Sequence, residues 1–116
     1  MRVMMSVIVT TEASDDDAEP YVDAEDTAPA WDAEQERRGI LLHRRRLQPV
    51  EDATTVRVRG GDVLMTDGPF TESKEWIAGF AILEVADLDE AITIAATHPM
   101  ARFGAIEVRE LWTDEG

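Results

Sequence analysis

Apolar residues in this chain recur mostly at alternate positions, the period of half-buried strands. Val3, Met5, Val7 and Val9 alternate with Met4, Ser6 and Ile8, which predicts a first strand over 3–9. Further strands are expected over 40–47, 54–59, 62–66, 76–85 and 105–112. In the second, Ile40 and Leu42 form the apolar side and Leu41, His43, Arg45 and Leu47 the other. In the third, Val56 and Val58 point inward while Thr55, Arg57 and Arg59 point away. Gly60-Gly61 is a two-residue hairpin signal joining it to the strand that carries Val63 and Met65. In the last strand Ile106 and Val108 oppose Glu107, Arg109 and Leu111.

The pattern turns helical twice. Residues 88–97 place Leu88, Ala91, Ile92, Ala95 and Ala96 on one face, with Asp87 as cap and Pro99 as stop. Residues 20–38 predict a poorer helix, entered at Pro20 and closed by Arg37, Arg38 and Gly39. Pro29 is expected to kink or break it, leaving a firm half from about Ala28 anchored by Trp31.

The order β-α-β-β-β-β-α-β implies an α+β domain: a ferredoxin-like βαββαβ core with an inserted β-hairpin. Its 116 residues suit a single domain, residues 1–116, with an acidic loop and irregular first helix at 10–38. Both helices should cover the sheet face carrying Val3/Met5/Val7, Val56/Val58, Ala81/Leu83/Val85 and Ile106/Val108. The opposite face would carry Ser6, His43, Arg45, Arg57, Trp76, Phe80, Ile82, Glu107 and Arg109. A face with that much aromatic and aliphatic surface implies an interface. A homodimer closing two such faces into a barrel satisfies the pattern.

Charge narrows the partners. The formal net charge of −14 disfavours nucleic acid and anionic membrane surfaces. No apolar run reaches the roughly 18–20 residues of a membrane span. The chain has no cysteine, which removes disulfides and thiolate chemistry and makes a cytoplasmic setting the expectation. Eleven acids and no base lie between Glu12 and Glu36, and Arg37, Arg38, Arg44, Arg45 and Arg46 follow. That basic cluster is suited to an anionic ligand or to balancing the chain's own acids. Asp15, Asp16 and Asp17 lack the alternate ligand spacing of a calcium loop, and two histidines without ligand spacing imply no metal. No phosphate loop, nucleophile elbow or dinucleotide fingerprint is present, so an enzyme that handles nucleotides or acyl groups through those devices is not expected.

The most distinctive stretch is TDGPFTESKEWIAGF, residues 66–80. Gly68-Pro69 forces a bend between two strands, from which Asp67, Phe70, Glu72, Lys74 and Glu75 project. Asp67, at a strand end beside Pro69 and Phe70, is a candidate general base, or else an acceptor of N–H bonds within its own turn. His43 is the one histidine on an expected strand and a candidate proton shuttle. His98, before a proline at a helix end, reads as a C-capping residue. Arg45, Arg57 and Arg109 are candidates to hold negative charge, with Phe70, Trp76 and Phe80 against a ring.

This stretch, with ATTVRV at 53–58, EVADLDEA at 84–91 and HPMARFGAIEVRE at 98–110, resembles the DGPF group of YCII-related proteins. The resemblance implies the dimeric α+β barrel superfamily, which includes isomerases, dehalogenating lyases, polyketide cyclases and monooxygenases, many without a cofactor. Smaller YCII proteins carry a histidine in the first helix. This chain has none between 20 and 38, so their His/Asp pair does not transfer. The expectation is a homodimeric, cofactor-free proton-transfer enzyme of isomerase, lyase or cyclase type, acting on a small anionic or aromatic molecule. The alternative is a non-catalytic binding or accessory protein.

Overall fold

The computed structural model describes residues 1–10, 28–69 and 75–113. The acidic loop, the start of the expected first helix, and Phe70, Glu72 and Lys74 of the bend lie outside them. The elements are β1 (Arg2–Thr10), α1 (Ala28–Arg37), β2 (Leu41–Arg46), β3 (Thr54–Arg59), β4 (Asp62–Asp67), β5 (Glu75–Glu84), α2 (Leu88–Ala96), α3 (Met100–Phe103) and β6 (Ala105–Glu110). A one-turn 3-10 helix at Val50–Asp52 connects β2 to β3. No helix among the described residues is long and apolar enough to cross a membrane.

β2, β5, β1 and β6 form one sheet in that order, each neighbouring pair antiparallel. This is the ferredoxin-like core, and β3–β4 is its inserted hairpin. Gly60 and Gly61 make the hairpin turn at φ 58° and 85°, angles that L side chains avoid. The α2 start forms as its sequence dictates: Asp87 Oδ1 accepts the Glu90 N–H at 2.8 Å, and Glu90 Oε1 accepts the Ala86 N–H at 3.1 Å. Pro29 falls in the first turn of α1, where a missing N–H breaks no helical bond, so it begins the helix instead of kinking it.

The core lies between the sheet and the helices. Val3, Met5 and Leu83 are fully covered, and Ala81, Ala91, Ile94, Ala95 and Trp31 pack with them, flanked by Ile106 and Val108. Each large side chain so buried contributes roughly 1.5–3 kcal/mol.

Three strand expectations are corrected by register. Val56 and Val58 do not join the helix-covered face: they stand on the separate hairpin, each 58% exposed, and Arg57 leaves the open sheet face with them. An irregularity between Leu41 and His43 turns Leu41 onto the core and leaves Leu42 outward, reversing those two. A bulge beside Val7 and Ile8 gives β5 an extra residue, so Trp76 pairs with Val9. Trp76 therefore faces the helix side with Val7 and Val9, not the open face, and Ile77 takes its place outside.

Candidate functional site

A broad concavity lies on that helix side, at the end of the sheet that α2 leaves uncovered. Val7 and Val9 floor it, and Trp31, Trp76, His98 and Met100 wall it, around a volume of about 620 Å³. Small-molecule sites commonly have this size and apolar lining. Its remaining side is basic: Arg44, Arg45 and Arg46 border it, followed by Leu47 and Pro49. Register explains the arginines. Arg44 pairs with Ala81 and Arg46 with Gly79, both on the helix side, whereas Arg45 pairs with Phe80. Gly79 lets β2 approach closely, because a Cβ there would sit 2.8 Å from the Arg45 carbonyl oxygen.

Each wall is fixed by its own bonds. Trp31 Nε1 donates to Thr97 Oγ1 at 3.0 Å and lies 3.3 Å from the Ile94 carbonyl, tying α1 to the end of α2. His98 meets the Trp31 ring edge-on, with centroids 4.8 Å apart. Its Nδ1 accepts the Met100 N–H at 3.1 Å, which places the proton of the neutral ring on Nε2. Burial, reinforced by the charge of Arg44, pushes His98 down to about 4 from the ordinary 6.5. The ring is therefore uncharged near neutrality.

Arg44 also reaches Asp32 of α1, with Nε 3.4 Å from Oδ2. Burial raises the Asp32 pKa; the Arg44 guanidinium opposes that rise and Glu36 adds to it. Asp32 Oδ1 is buried without a hydrogen-bond partner. Asp32, His43, Arg44 and Arg45 share a second hollow of about 350 Å³ along the outer edge of β2.

The residues singled out by sequence are divided by this geometry. Arg45, Trp76 and Phe80 border the cavity. His43 stands beside Phe80 on the open face, ring centroids 6.1 Å apart. Register puts Arg109 on that face, opposite Met4, and Glu107 opposite Ser6. Arg57 and Asp67 belong to the hairpin, and Phe70 lies outside the described residues. Asp67 is exposed, opposite Thr54, and its bend is held by Gly68 N–H to Ala53 O at 2.6 Å and Thr55 Oγ1 to Gly68 O at 2.9 Å. No hydrogen bond or ion pair joins it to His43 among the described residues.

Sequence reasoning passed over Asp32 and took His98 for a cap alone. The C-cap of α2 is Thr97, not His98; the His98 ring instead accepts the first N–H of α3, and only the fold shows its other edge bordering a cavity. The one available signal was the adjacent pair Trp31-Asp32 in an otherwise thinly apolar helix.

Known proteins bear on this site only through the family. The YCII-related domain profile matches residues 4–113. An uncharacterized protein of Rhizobium meliloti (strain 1021) is 41% identical over 68 residues, 57% of this chain and 55% of that protein. The alignment thus spans about half of the relative's length.

Proposed function

This chain belongs to the YCII-related domain family, and from its cavity we propose that it binds a small anionic aromatic molecule and moves a proton on it without a cofactor. The observation that carries the reading is the joint lining of one cavity by two indoles and a run of arginines. Trp31 and Trp76 offer ring faces, and Arg44 and Arg46 offer charge to a carboxylate. Asp32 lines the adjoining hollow and meets the cavity through Arg44, which borders both; with its proton affinity raised by burial, it is the group suited to accept the proton there. The proton-transfer role expected of Asp67 and His43 moves to Asp32 in this reading: Asp67 stands on the hairpin and His43 on the open face, whereas Asp32 is held on the helix side by Arg44, which borders the cavity. The open face, with Phe80, Ile82 and the half-exposed Ile77, is proposed to close against a second copy.

The test uses phenylpyruvate in heavy water, followed by NMR. Aromatic acid binding is expected to shift the indole signals of Trp31 and Trp76, and Arg46→Glu to abolish the shift. Exchange of the benzylic hydrogens should be accelerated by the protein and fall at least about 100-fold in Asp32→Asn. Binding without exchange would leave a binding or accessory protein. An indole response confined to the exposed Trp112 would remove the site.

A further inference from the structure

His98 is 3% exposed and borders the cavity, yet only one of its ring nitrogens is bonded. Nε2 has no partner among the described residues. Among the described residues, Asp32 Oδ1 and not His98 Nε2 is the fully covered side-chain polar atom without a partner, so the Nε2 edge is not sealed in protein. Its open side is the cavity. A donor held there by a backbone cap and an edge contact to Trp31 has little rotational freedom left. It is preorganised, and only an acceptor entering the cavity satisfies it.

We propose that His98 reads a carbonyl oxygen on the bound molecule: the ligand class is an aromatic 2-oxo acid, with its carboxylate on Arg44 and Arg46 and its keto oxygen on His98 Nε2–H. This deepens the reading above and rests on it. A neutral donor selects an uncharged acceptor and leaves charge recognition to the arginines on the β2 side. The burial that keeps His98 uncharged also makes it a poor acid, so it holds its proton while hydrogen-bonding.

The same bond serves the reaction. When a base removes a proton from the carbon next to the keto group, the C–H electron pair becomes the new C=C bond. The C=O π pair then moves to oxygen, which becomes an enolate facing Nε2–H. Returning a proton to either carbon or oxygen closes the step, with no net oxidation. Donors aimed at such a developing oxyanion are worth more in a water-poor site than in water.

The experiment compares phenylpyruvate with 3-phenylpropanoate, which has the same ring and carboxylate but no keto oxygen, on the full chain. The wild type is expected to bind phenylpyruvate at least about ten-fold more tightly, since a site with a buried donor penalises a ligand that leaves it unpaired. In His98→Asn, whose amide oxygen can still accept the Met100 N–H, the two affinities should converge. A wild-type ¹⁵N NMR titration keeps the test independent of how that variant folds: the His98 Nε2–H resonance should move with phenylpyruvate and stay with 3-phenylpropanoate. Equal affinities, or a keto preference that survives in His98→Asn, overturn the role of His98 and leave the cavity standing. Failure of both acids to bind overturns the cavity reading and this inference together.

Discussion

β3 and β6 have nearly the same pattern, Thr-Thr-Val-Arg-Val-Arg against Ala-Ile-Glu-Val-Arg-Glu, and opposite fates. In β6, Ile106 and Val108 pair with Val7 and Met5 and pack on the core. In β3, Val56 and Val58 pair with Met65 and Val63, and all four residues stay more than half exposed. Alternation decides which residues share a face; it does not decide what that face meets. β6 is an edge strand too, but its partner β1 is internal to a four-stranded sheet covered by helices. β3 has only β4, and a lone two-stranded hairpin is marginal by itself.

The contrast gives its largest test in paired truncations. Leu83→Ala, in the fully covered core, is expected to lose about 2–5 kcal/mol in urea unfolding, while Val58→Ala changes the monomer by no more than about 0.5 kcal/mol. A comparable loss at Val58 would mean that the hairpin face is covered in solution.

The second test is pH, and it belongs to the core side alone. His98 falls from 6.5 to about 4, so the unfolded chain binds more protons than the folded one between those values. Stability is therefore full above about pH 6.5 and is lost as pH falls towards 4. At about 1.36 kcal/mol per unit, this largely buried ring accounts for at most on the order of 3 kcal/mol. Asp32 acts with the opposite sign, since its raised pKa makes the folded state the better proton binder over its own window. In His98→Asn the acid loss should flatten, which urea midpoints measured from pH 7 to 4 would show.

A smaller effect separates a local signal from a tertiary one. Asp87→Ala removes the α2 cap and should cost about 1 kcal/mol by thermal unfolding, wherever the hairpin lies. The smallest is expected at Asp67. Asp67→Asn should leave phenylpyruvate affinity within about two-fold of wild type, because the hairpin does not border the cavity; a ten-fold loss would return the site to the DGPF bend.

Much of the frame is written locally. The Gly60-Gly61 turn, the Asp87 cap, the start of a firm helix at Ala28 and the alternation of β1 each depend on neighbours within a few residues. For those, the sequence determined both the elements and the faces of β1 and β6. Other assignments depended on pairing. One extra residue in β5 carried Trp76 to the helix side, and one irregularity exchanged Leu41 with Leu42. Neither bulge has a local signature, since it arises where two strands of unequal length must keep their hydrogen bonds. The cavity was least legible, because Val9, Trp31, Arg44 and His98 come from four separate parts of the chain. Tertiary structure alone brought them together, since which strands pair and which helix end stays uncovered depends on contacts between residues distant in sequence.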